Sequence, residues 1–170
     1  MPKDTQALLH TTRIVGATSR VVAAAIDVNA NRRSRMADKI ASASGGSVQG
    51  KNVAVLGLTF KANTDDLRES PAVEIIRSLI GEGANVRAYD PEGMEGARLR
   101  TQRIEFAADP YECVEGADVI AILTEWAEFA TLDLERVKGL VADPVIVDLR
   151  NLFDPRDMER AGFVYYSIGR

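Results

Sequence analysis

Two cationic side chains, Lys61 and Arg68, lie in a loop that also carries glycine, threonine and asparagine. A strand pattern at 52–57 leads into this loop, and Ser70-Pro71 after it is typical of a helix start. In α/β folds such a loop lies at the carboxyl end of a strand, where free N–H groups at the start of the next helix face bound anions. The sequence therefore predicts a site for an anionic ligand in this loop.

The elements that must position this loop alternate between strand and helix patterns from residue 51 onward. Strand patterns cover 52–57, 85–89, 103–106, 118–123, 144–148 and 163–167, and helical patterns cover 71–82, 92–99, 110–115, 133–141 and 155–160. Parallel strands need crossover helices, so this order predicts a Rossmann-like α/β fold with a doubly wound, mostly parallel sheet. The apolar runs VIAIL and VIV are typical of central strands that are covered on both faces.

The first part of the chain has a different character. Residues 1–44 are poor in proline and glycine, and their apolar side chains recur at the spacing that predicts a long α-helix over 18–44. The stretch SASGGSVQG indicates a linker. The predicted organisation is a helical segment at 1–44, a linker at 45–50 and an α/β domain at 51–170.

Composition narrows the functional classes. The chain has 170 residues and a net charge of −4, which disfavours nucleic acid as a partner. No apolar stretch approaches the ~18 residues of a membrane span, and the start MPKDTQALLH lacks the order of a signal peptide, so a cytoplasmic protein without a membrane partner is expected. The one cysteine, Cys113, has no companion for a zinc site, and a buried core thiol is expected in preference to a reactive one. Asp65 and Asp66 are interpreted as turn residues in preference to magnesium ligands, so no metal site is predicted.

A dinucleotide site is the obvious alternative for such a fold. The sequence GLTFKAN after the first strand pattern lacks the G-x-G-x-x-G that lets a backbone approach a pyrophosphate. Asp90 ends the second strand pattern, where a ribose-binding acid would lie, but the Asp90-Pro91 pair is typical of a turn. Trp126 follows another strand pattern and is interpreted as a packing residue. We therefore expect the anion to be bound by side chains and not by a glycine cradle.

Several long motifs occur together in this chain. In order they are VLGLTFKANTDDLRESPA, VRAYDP, DPYECVEGADV, ILTEWAEF, VDLRNLFDP and GFVYYSIGR. They resemble the carboxyl-terminal part of the UDP-glucose/GDP-mannose dehydrogenase family, along the whole chain. Within the family, TEWAEF, the Arg-Asn of VDLRN and the ending IGR resemble the enzymes for UDP-glucose more than those for GDP-mannose or UDP-N-acetylmannosamine.

The resemblance implies an activity that this chain carries in part. Enzymes of the family oxidise the C6 alcohol of the sugar twice with two NAD, through a thioester on a cysteine in a motif similar to GGSCFPKD. This chain begins MPKD. The resemblance thus implies that the nucleophile and the amino-terminal NAD-binding half lie outside the sequence, and that the isolated chain is inactive.

Substrate-binding residues follow from the matched motifs. The resemblance implies that Phe60 and Lys61 contact the UDP part of the substrate, and that Arg150 is a second contact from the end of another strand. An ammonium group supplies charge to a diphosphate, and a neighbouring aromatic ring shields it from water. Leu149 replaces a glycine of the family motif, and a leucine does not share the conformational freedom of glycine at this position.

Three further residues match positions associated with the cofactor and the chemistry. The resemblance implies that Lys3 and Arg68 are cofactor-binding residues for NAD, and that Asp4 is a catalytic residue handling the water that hydrolyses the thioester.

In the family a long helix joins the two domains and forms much of the dimer interface, so a homodimer through the 18–44 helix is expected. Two other classes remain open: a stand-alone nucleotide-sugar-binding module, and a structural dimerisation domain. A UDP sugar is the expected small-molecule partner.

Overall fold

The structure is a computed structural model that describes residues 2–68, 70–100 and 103–169, except for the side chains of Pro2, Lys3 and Arg33. The chain divides into two compact units, residues 1–35 and 36–170.

The first unit is helical. It contains α1 (Pro2–Ile14) and the larger part of α2 (Arg20–Ala43), which confirms the long helix expected over 18–44. Among the described helices, none is long and apolar enough to cross a membrane.

The second unit is built on a sheet of six parallel strands. The strands are β1 (Asn52–Leu56), β2 (Asn85–Tyr89), β3 (Ile104–Phe106), β4 (Val119–Ile122), β5 (Val145–Asp148) and β6 (Val164–Ser167). Their order across the sheet is β3-β2-β1-β4-β5-β6, the doubly wound arrangement. The predicted Rossmann-like α/β fold is therefore confirmed, and the sheet is parallel throughout the described residues.

Short helices connect these strands. They are α3 (Pro71–Gly81), α4 (Met94–Arg98), α5 (Pro110–Val114), α6 (Ala127–Ala130), α7 (Leu134–Leu140) and α8 (Pro155–Arg160). Five of them were predicted from the sequence. The sixth, α6, is a single turn, which is too short to produce helical periodicity.

Two apolar clusters cover the two faces of the sheet, because successive strand residues point to opposite sides. On one face Val53 and Val55 of β1 pack with residues of α3 and with Ala37 and Ile40 of α2. On the other face Ala54 and its neighbours pack with residues of α5, α7 and α8. The apolar runs of β4 and β5 lie between these layers, as the sequence predicted.

All six strands end at the same edge of the sheet. The four central strands end at Leu56, Tyr89, Ile122 and Asp148. The strand order reverses between β1 and β4, and the crevice outside this point is where open parallel sheets bind ligands. The loops that follow β1, β2, β4 and β5 border this crevice.

Candidate functional site

The loop between β1 and α3 is held by hydrogen bonds from its neighbours. The Ser70 hydroxyl donates to the Leu58 carbonyl (2.7 Å) and accepts from the Ala72 N–H (3.2 Å), so it also caps α3. The Thr124 hydroxyl, from the loop after β4, donates to the Thr59 carbonyl at 2.7 Å. These bonds fix the backbone immediately before the predicted ligand residues.

The N–H groups of the same loop point at the carboxylate of Asp90. Its Oδ2 accepts from the Leu58 N–H at 2.6 Å, and from the N–H and hydroxyl of Thr59 at 3.0 and 3.1 Å. Its Oδ1 accepts from Glu92 N–H (3.0 Å) and Gly93 N–H (2.7 Å), which forms the expected turn. Asp90 is 0% exposed and therefore lies out of reach of a ribose.

Trp126 completes this network. Its Nε1 donates to Asp90 Oδ2 at 3.1 Å, and the side chain is 7% exposed. The interpretation of Trp126 as a packing residue is confirmed. Its ring ties the loop after β4 to the loop after β2.

A dinucleotide pyrophosphate does not fit the loop after β1. A pyrophosphate needs unpaired N–H groups and room for close backbone approach. Here the Leu58 and Thr59 N–H groups already donate to Asp90. The added Cβ of a residue at position 57 would lie 2.5 Å from Thr124 Cβ, so even the glycine at this position leaves no open cradle.

A second buried carboxylate, Asp148, organises the loop after β5. Its Oδ1 accepts from the Arg150 N–H at 2.8 Å, and its Oδ2 accepts from the N–H groups of Leu152 (2.7 Å) and Phe153 (3.2 Å). The Tyr165 hydroxyl also donates to Oδ2, at 2.7 Å. With 0% exposure, Asp148 belongs to the support of the site and not to its surface.

This loop places Arg150 against the loop after β1. The Arg150 guanidinium donates from Nε to the Leu123 carbonyl (2.7 Å) and from Nη2 to the Phe60 carbonyl (3.3 Å), and it forms an ion pair with Glu125 at 3.2 Å. Within the described chain, these contacts leave both N–H groups of Nη1 and one of Nη2 without a protein acceptor. Arg150 is thus held in place while it keeps donors for a ligand.

Phe60 and Lys61 are presented outward from the fixed loop. The Phe60 N–H donates to the Asp66 carbonyl at 2.8 Å, and the ring is 38% exposed. Lys61 is exposed, and in the parts of the chain that the structure describes its ammonium group forms no ion pair. The Phe60–Arg150 hydrogen bond brings the three predicted substrate residues to one edge of the sheet.

Arg68 lies further along the same loop and is braced by Asp66. Asp66 Oδ1 accepts from the N–H (2.8 Å) and the Nε (2.9 Å) of Arg68, and Oδ2 lies 2.9 Å from Nη2. This pairing confirms the expected turn role of Asp66. Among residues 2–68, 70–100 and 103–169, no group of three or more histidine, cysteine or acidic side chains could hold a metal ion.

The amino-terminal candidates belong to the first unit. Asp4 is exposed in the first turn of α1, where a negative charge is favourable for the helix dipole. The side chain of Lys3 lies outside the described residues.

The leucine that replaces a glycine of the family motif is accommodated without backbone strain. Leu149 packs against the sheet, and the left-handed conformation falls instead on Asn151, with a φ of 57°. Asparagine tolerates this region better than most residues. The Asn151 side chain also donates to the Ile168 carbonyl and accepts from the Ile168 N–H, both at 3.0 Å.

Cys113 is a core thiol, as expected. It is 1% exposed, and burial raises the pKa of its thiol to about 12. A thiol with so high a pKa is a poor nucleophile near neutral pH. Cys113 also lines a cavity of about 290 Å³ at the other edge of the sheet, where Asn52 and Asn85 begin β1 and β2.

Arg87 lines the same cavity and is engaged within the protein. It donates from Nη1 to the carbonyls of Glu112 and Glu115, both at 3.0 Å, and its Nε lies 3.1 Å from Glu105 Oε1. Within the described chain the Nε–H forms no hydrogen bond, so its contact with Glu105 is an ion pair. These contacts hold the Arg87 guanidinium at the edge of the sheet opposite to Arg150.

Sequence analysis missed the two supporting carboxylates and Glu125. Asp90 was interpreted as a turn residue alone, and Asp148 was not singled out. The signal that could have found them is an aspartate placed directly at the end of a buried strand pattern, as in RAYD and VIVD. An acid there meets the N–H groups of neighbouring loops.

The fold and this edge define a class of protein: a Rossmann-like α/β domain that presents fixed cationic side chains, without a glycine cradle, to an anionic ligand. Residues 54–155 match the model of the UDP-glucose/GDP-mannose dehydrogenase family, UDP binding domain. The chain therefore belongs to this family.

Individual relatives agree with this assignment. The chain is 46% identical over 169 residues to a UDP-glucose 6-dehydrogenase of Rhizobium meliloti strain 1021, a match that covers 99% of this chain and 39% of that protein. A UDP-glucose 6-dehydrogenase of Rickettsia bellii strain RML369-C is 41% identical over 170 residues, with 99% and 39% covered. The chain thus spans about two fifths of the length of these curated relatives.

Solved structures share the fold. A UDP-glucose dehydrogenase from the hyperthermophilic archaeon Pyrobaculum islandicum superposes with a TM-score of 0.80 at 31% identity, covering 97% of this chain and 36% of that one. An NDP-N-acetyl-D-galactosaminuronic acid dehydrogenase from Methanosarcina mazei Go1 superposes with a TM-score of 0.85 at 27% identity, with 98% and 37% covered. These relatives act on different nucleotide sugars by name, so the fold by itself does not select the sugar.

Proposed function

We propose that this chain binds the UDP part of a UDP sugar at the carboxyl edge of its sheet, and that it forms the UDP-sugar-binding part of an NAD-dependent UDP-glucose 6-dehydrogenase. The observation that carries the proposal is the position of Arg150. Its guanidinium is fixed against Phe60 and keeps three N–H groups for a ligand.

The chemistry of a nucleoside diphosphate suits this edge. A guanidinium with free N–H groups binds phosphate oxygens through charge-assisted hydrogen bonds. The exposed Lys61, which forms no ion pair within the described residues, adds a second positive charge from the loop after β1. The exposed ring of Phe60, the residue before Lys61 in the chain, offers an apolar surface in the same loop. Because the supporting loops are hydrogen-bonded in place, little ordering of the protein opposes binding.

Replacing Lys61 or Arg150 by alanine is expected to weaken UDP binding by about 1–3 kcal/mol each, because each change removes a charge-assisted contact to the diphosphate. Isothermal titration calorimetry with UDP measures the effect, and rising salt is expected to weaken wild-type binding. Lys51→Ala is the matched control, since Lys51 lies at the amino end of the same strand and pairs with Asp118. Its affinity for UDP should equal that of the wild type.

Arg150→Lys separates charge from geometry in the same experiment. Lysine keeps the charge but loses the planar set of donors, so an intermediate affinity is expected. Folding of each variant is checked by the fluorescence of Trp126, the one tryptophan of the chain. Equal affinity of wild type, Lys61→Ala and Arg150→Ala would contradict this placement of the site.

The choice of sugar is tested with the same calorimeter. UDP-glucose is expected to bind at least as well as UDP-N-acetylmannosamine, and GDP-mannose is expected to bind more weakly. If the chain binds UDP but forms part of no dehydrogenase, it is instead a stand-alone nucleotide-sugar-binding module.

The catalytic roles belong to the proposal for the whole enzyme. NAD would supply the hydride acceptor. From this chain, we propose that Lys3 and Arg68 serve NAD binding and that Asp4 handles the hydrolytic water; Asp4 is exposed, and the Arg68 side chain is 70% exposed. Cys113 is not the nucleophile, because it is buried and its pKa is raised to about 12. The isolated chain is therefore expected to form no NADH from UDP-glucose and NAD.

A dimerisation role is the second candidate, and exposed apolar residues of the first unit favour it. Val21 and Val28 of α2 are 82% and 63% exposed and lie seven residues apart, on one helix face. Leu8, Ile14 and Val15 are also exposed. We propose that a second copy of the chain covers these side chains.

The dimer predicts a concentration-dependent sedimentation coefficient at micromolar protein. The double variant Val21→Asp with Val28→Asp should sediment as a monomer, because it places charges in the apolar contact. Ala30→Asp is the control, since Ala30 is exposed on the opposite helix face and the variant gains one of the two charges that the double variant gains. A wild-type chain that sediments as a monomer, with no change of the sedimentation coefficient on dilution, would contradict the proposal. A dimer that binds no UDP in calorimetry would indicate a structural dimerisation domain.

A further inference from the structure

The N–H groups after β1 point at an anion that belongs to the protein itself. We propose that the Asp90 carboxylate is a built-in anion that takes the hydrogen bonds a bound phosphate takes in other doubly wound folds, and that it thereby positions Phe60 and Lys61. Asp90 is on this view a positioning residue, since it acts through the loop backbone and does not touch the ligand.

The Asp90 carboxylate lies where doubly wound folds place a ligand phosphate. Asp90 Oδ2 lies 2.6 Å from the Leu58 nitrogen and 3.0 Å from the Thr59 nitrogen, directly after the end of β1. In doubly wound folds this is where backbone N–H groups face a ligand phosphate. The same donors here converge on the side chain of Asp90, the residue that follows the neighbouring strand β2.

The Asp90 carboxylate is surrounded by enough donors to fill its acceptor sites. The carboxylate accepts from six donors. Besides the Leu58 and Thr59 N–H groups, Oδ2 accepts from the Thr59 hydroxyl and from Trp126 Nε1, and Oδ1 accepts from the Glu92 and Gly93 N–H groups. An ionised carboxylate is an acceptor alone and has about four lone-pair sites, so these donors saturate it. In the described chain Asp90 forms no ion pair with lysine or arginine, so dipoles rather than a cation surround it.

In this loop the backbone N–H groups bind Asp90, and the side chains remain for an external ligand. Leu58 and Thr59, which Asp90 fixes, immediately precede Phe60 and Lys61 in the chain. The loop is closed to an external phosphate, so a diphosphate at this edge is left to side chains. This last step rests on the proposed UDP site, whereas the dependence of the loop on an anion does not.

Chemical rescue tests the built-in anion without any nucleotide. Asp90→Ala removes the carboxylate and leaves a small space surrounded by donors, which a formate ion matches in charge and shape. Sodium formate should raise the Tm of Asp90→Ala with increasing concentration, whereas the same concentration of sodium chloride should not. Three controls should show no shift in Tm that is specific to formate. They are the wild type, Asp90→Asn, whose amide fills the space, and Asp133→Ala, which loses an exposed helix cap.

Amide chemical shifts locate the effect. In ¹H–¹⁵N spectra, the Leu58, Thr59, Glu92 and Gly93 amides should shift in Asp90→Ala and return toward their wild-type positions on addition of formate. The Leu152 and Phe153 amides, which donate to Asp148, serve as the internal control and should not respond. A general loss of stability would not produce this selective return.

Asp90→Asn keeps the proposal testable if Asp90→Ala fails to fold in formate as well as in chloride. One amide oxygen cannot serve donors on both sides, so hydrogen exchange should accelerate at the Leu58–Thr59 pair or at the Glu92–Gly93 pair. Unchanged exchange at both pairs would overturn the proposal. So would an Asp90→Ala variant that folds but gains no more Tm from formate than from chloride, or formate shifts of equal size in Asp133→Ala. If formate rescue succeeds while UDP does not bind, the built-in anion stands and the proposed UDP site fails.

Discussion

Gly57→Ala is expected to lower the free energy of unfolding of the sheet domain by about 2–6 kcal/mol, which combines about 1–3 kcal/mol of backbone strain with about 1–3 kcal/mol of overpacking. Gly57 has a φ of 99°, a region that alanine rarely adopts. The new Cβ would lie 2.5 Å from Thr124 Cβ and 2.6 Å from the Thr124 nitrogen. Relief would require the loops after β1 and β4 to separate, and Thr124 would lose its hydrogen bond to Thr59. Urea denaturation followed by Trp126 fluorescence measures the loss.

Gly46→Ala is the matched control for this clash. Gly46 has nearly the same φ, 97°, but no atom lies within 4 Å of a Cβ built there. Its cost should be the strain part alone, about 1–3 kcal/mol. Equal losses in the two variants would show that the close approach of the two loops is not what requires glycine at position 57.

Asp148→Ala is expected to lower the free energy of unfolding by about 2–4 kcal/mol, because it leaves several hydrogen-bond donors of the buried carboxylate without an acceptor. The donors are the N–H groups of Arg150, Leu152 and Phe153 and the Tyr165 hydroxyl. Since this network sets the position of Arg150, the variant should also weaken UDP binding in calorimetry. Thermal and urea unfolding measure the first effect.

Asp154→Ala is the control for the carboxylate, because Asp154 lies in the same loop and accepts a bond from Arg156 N–H as an exposed cap of α8. Its loss should stay near 1 kcal/mol. Tyr165→Phe removes one of the Asp148 bonds and should cost about 1 kcal/mol. If Asp148→Ala were no more harmful than Asp154→Ala, the buried network would not organise this loop.

The central strands illustrate why the fold could be predicted from the residues. Runs such as Val119–Ile122 are apolar on both faces, and Ser70-Pro71 marks the start of α3, so these patterns are local and readable. The helix α6 was not predicted, because a single turn is too short to show the apolar periodicity of a helix. Lys61 followed from the charged loop after the first strand pattern, whereas Phe60 and Arg150 came from a motif resemblance, which spacing alone would not have supplied.

The candidate anion loop shows the limit of such reasoning. Its composition was sufficient to predict a strand–loop–helix with cations and without a glycine cradle, because turn residues, caps and charge are properties of neighbouring positions in the chain. Sequence could not show that its N–H groups are already bonded to Asp90, that Arg150 reaches the Phe60 carbonyl, or that Gly57 faces Thr124. These contacts join residues 32, 90 and 67 positions apart, and they exist because a parallel sheet brings the ends of distant strands to one edge.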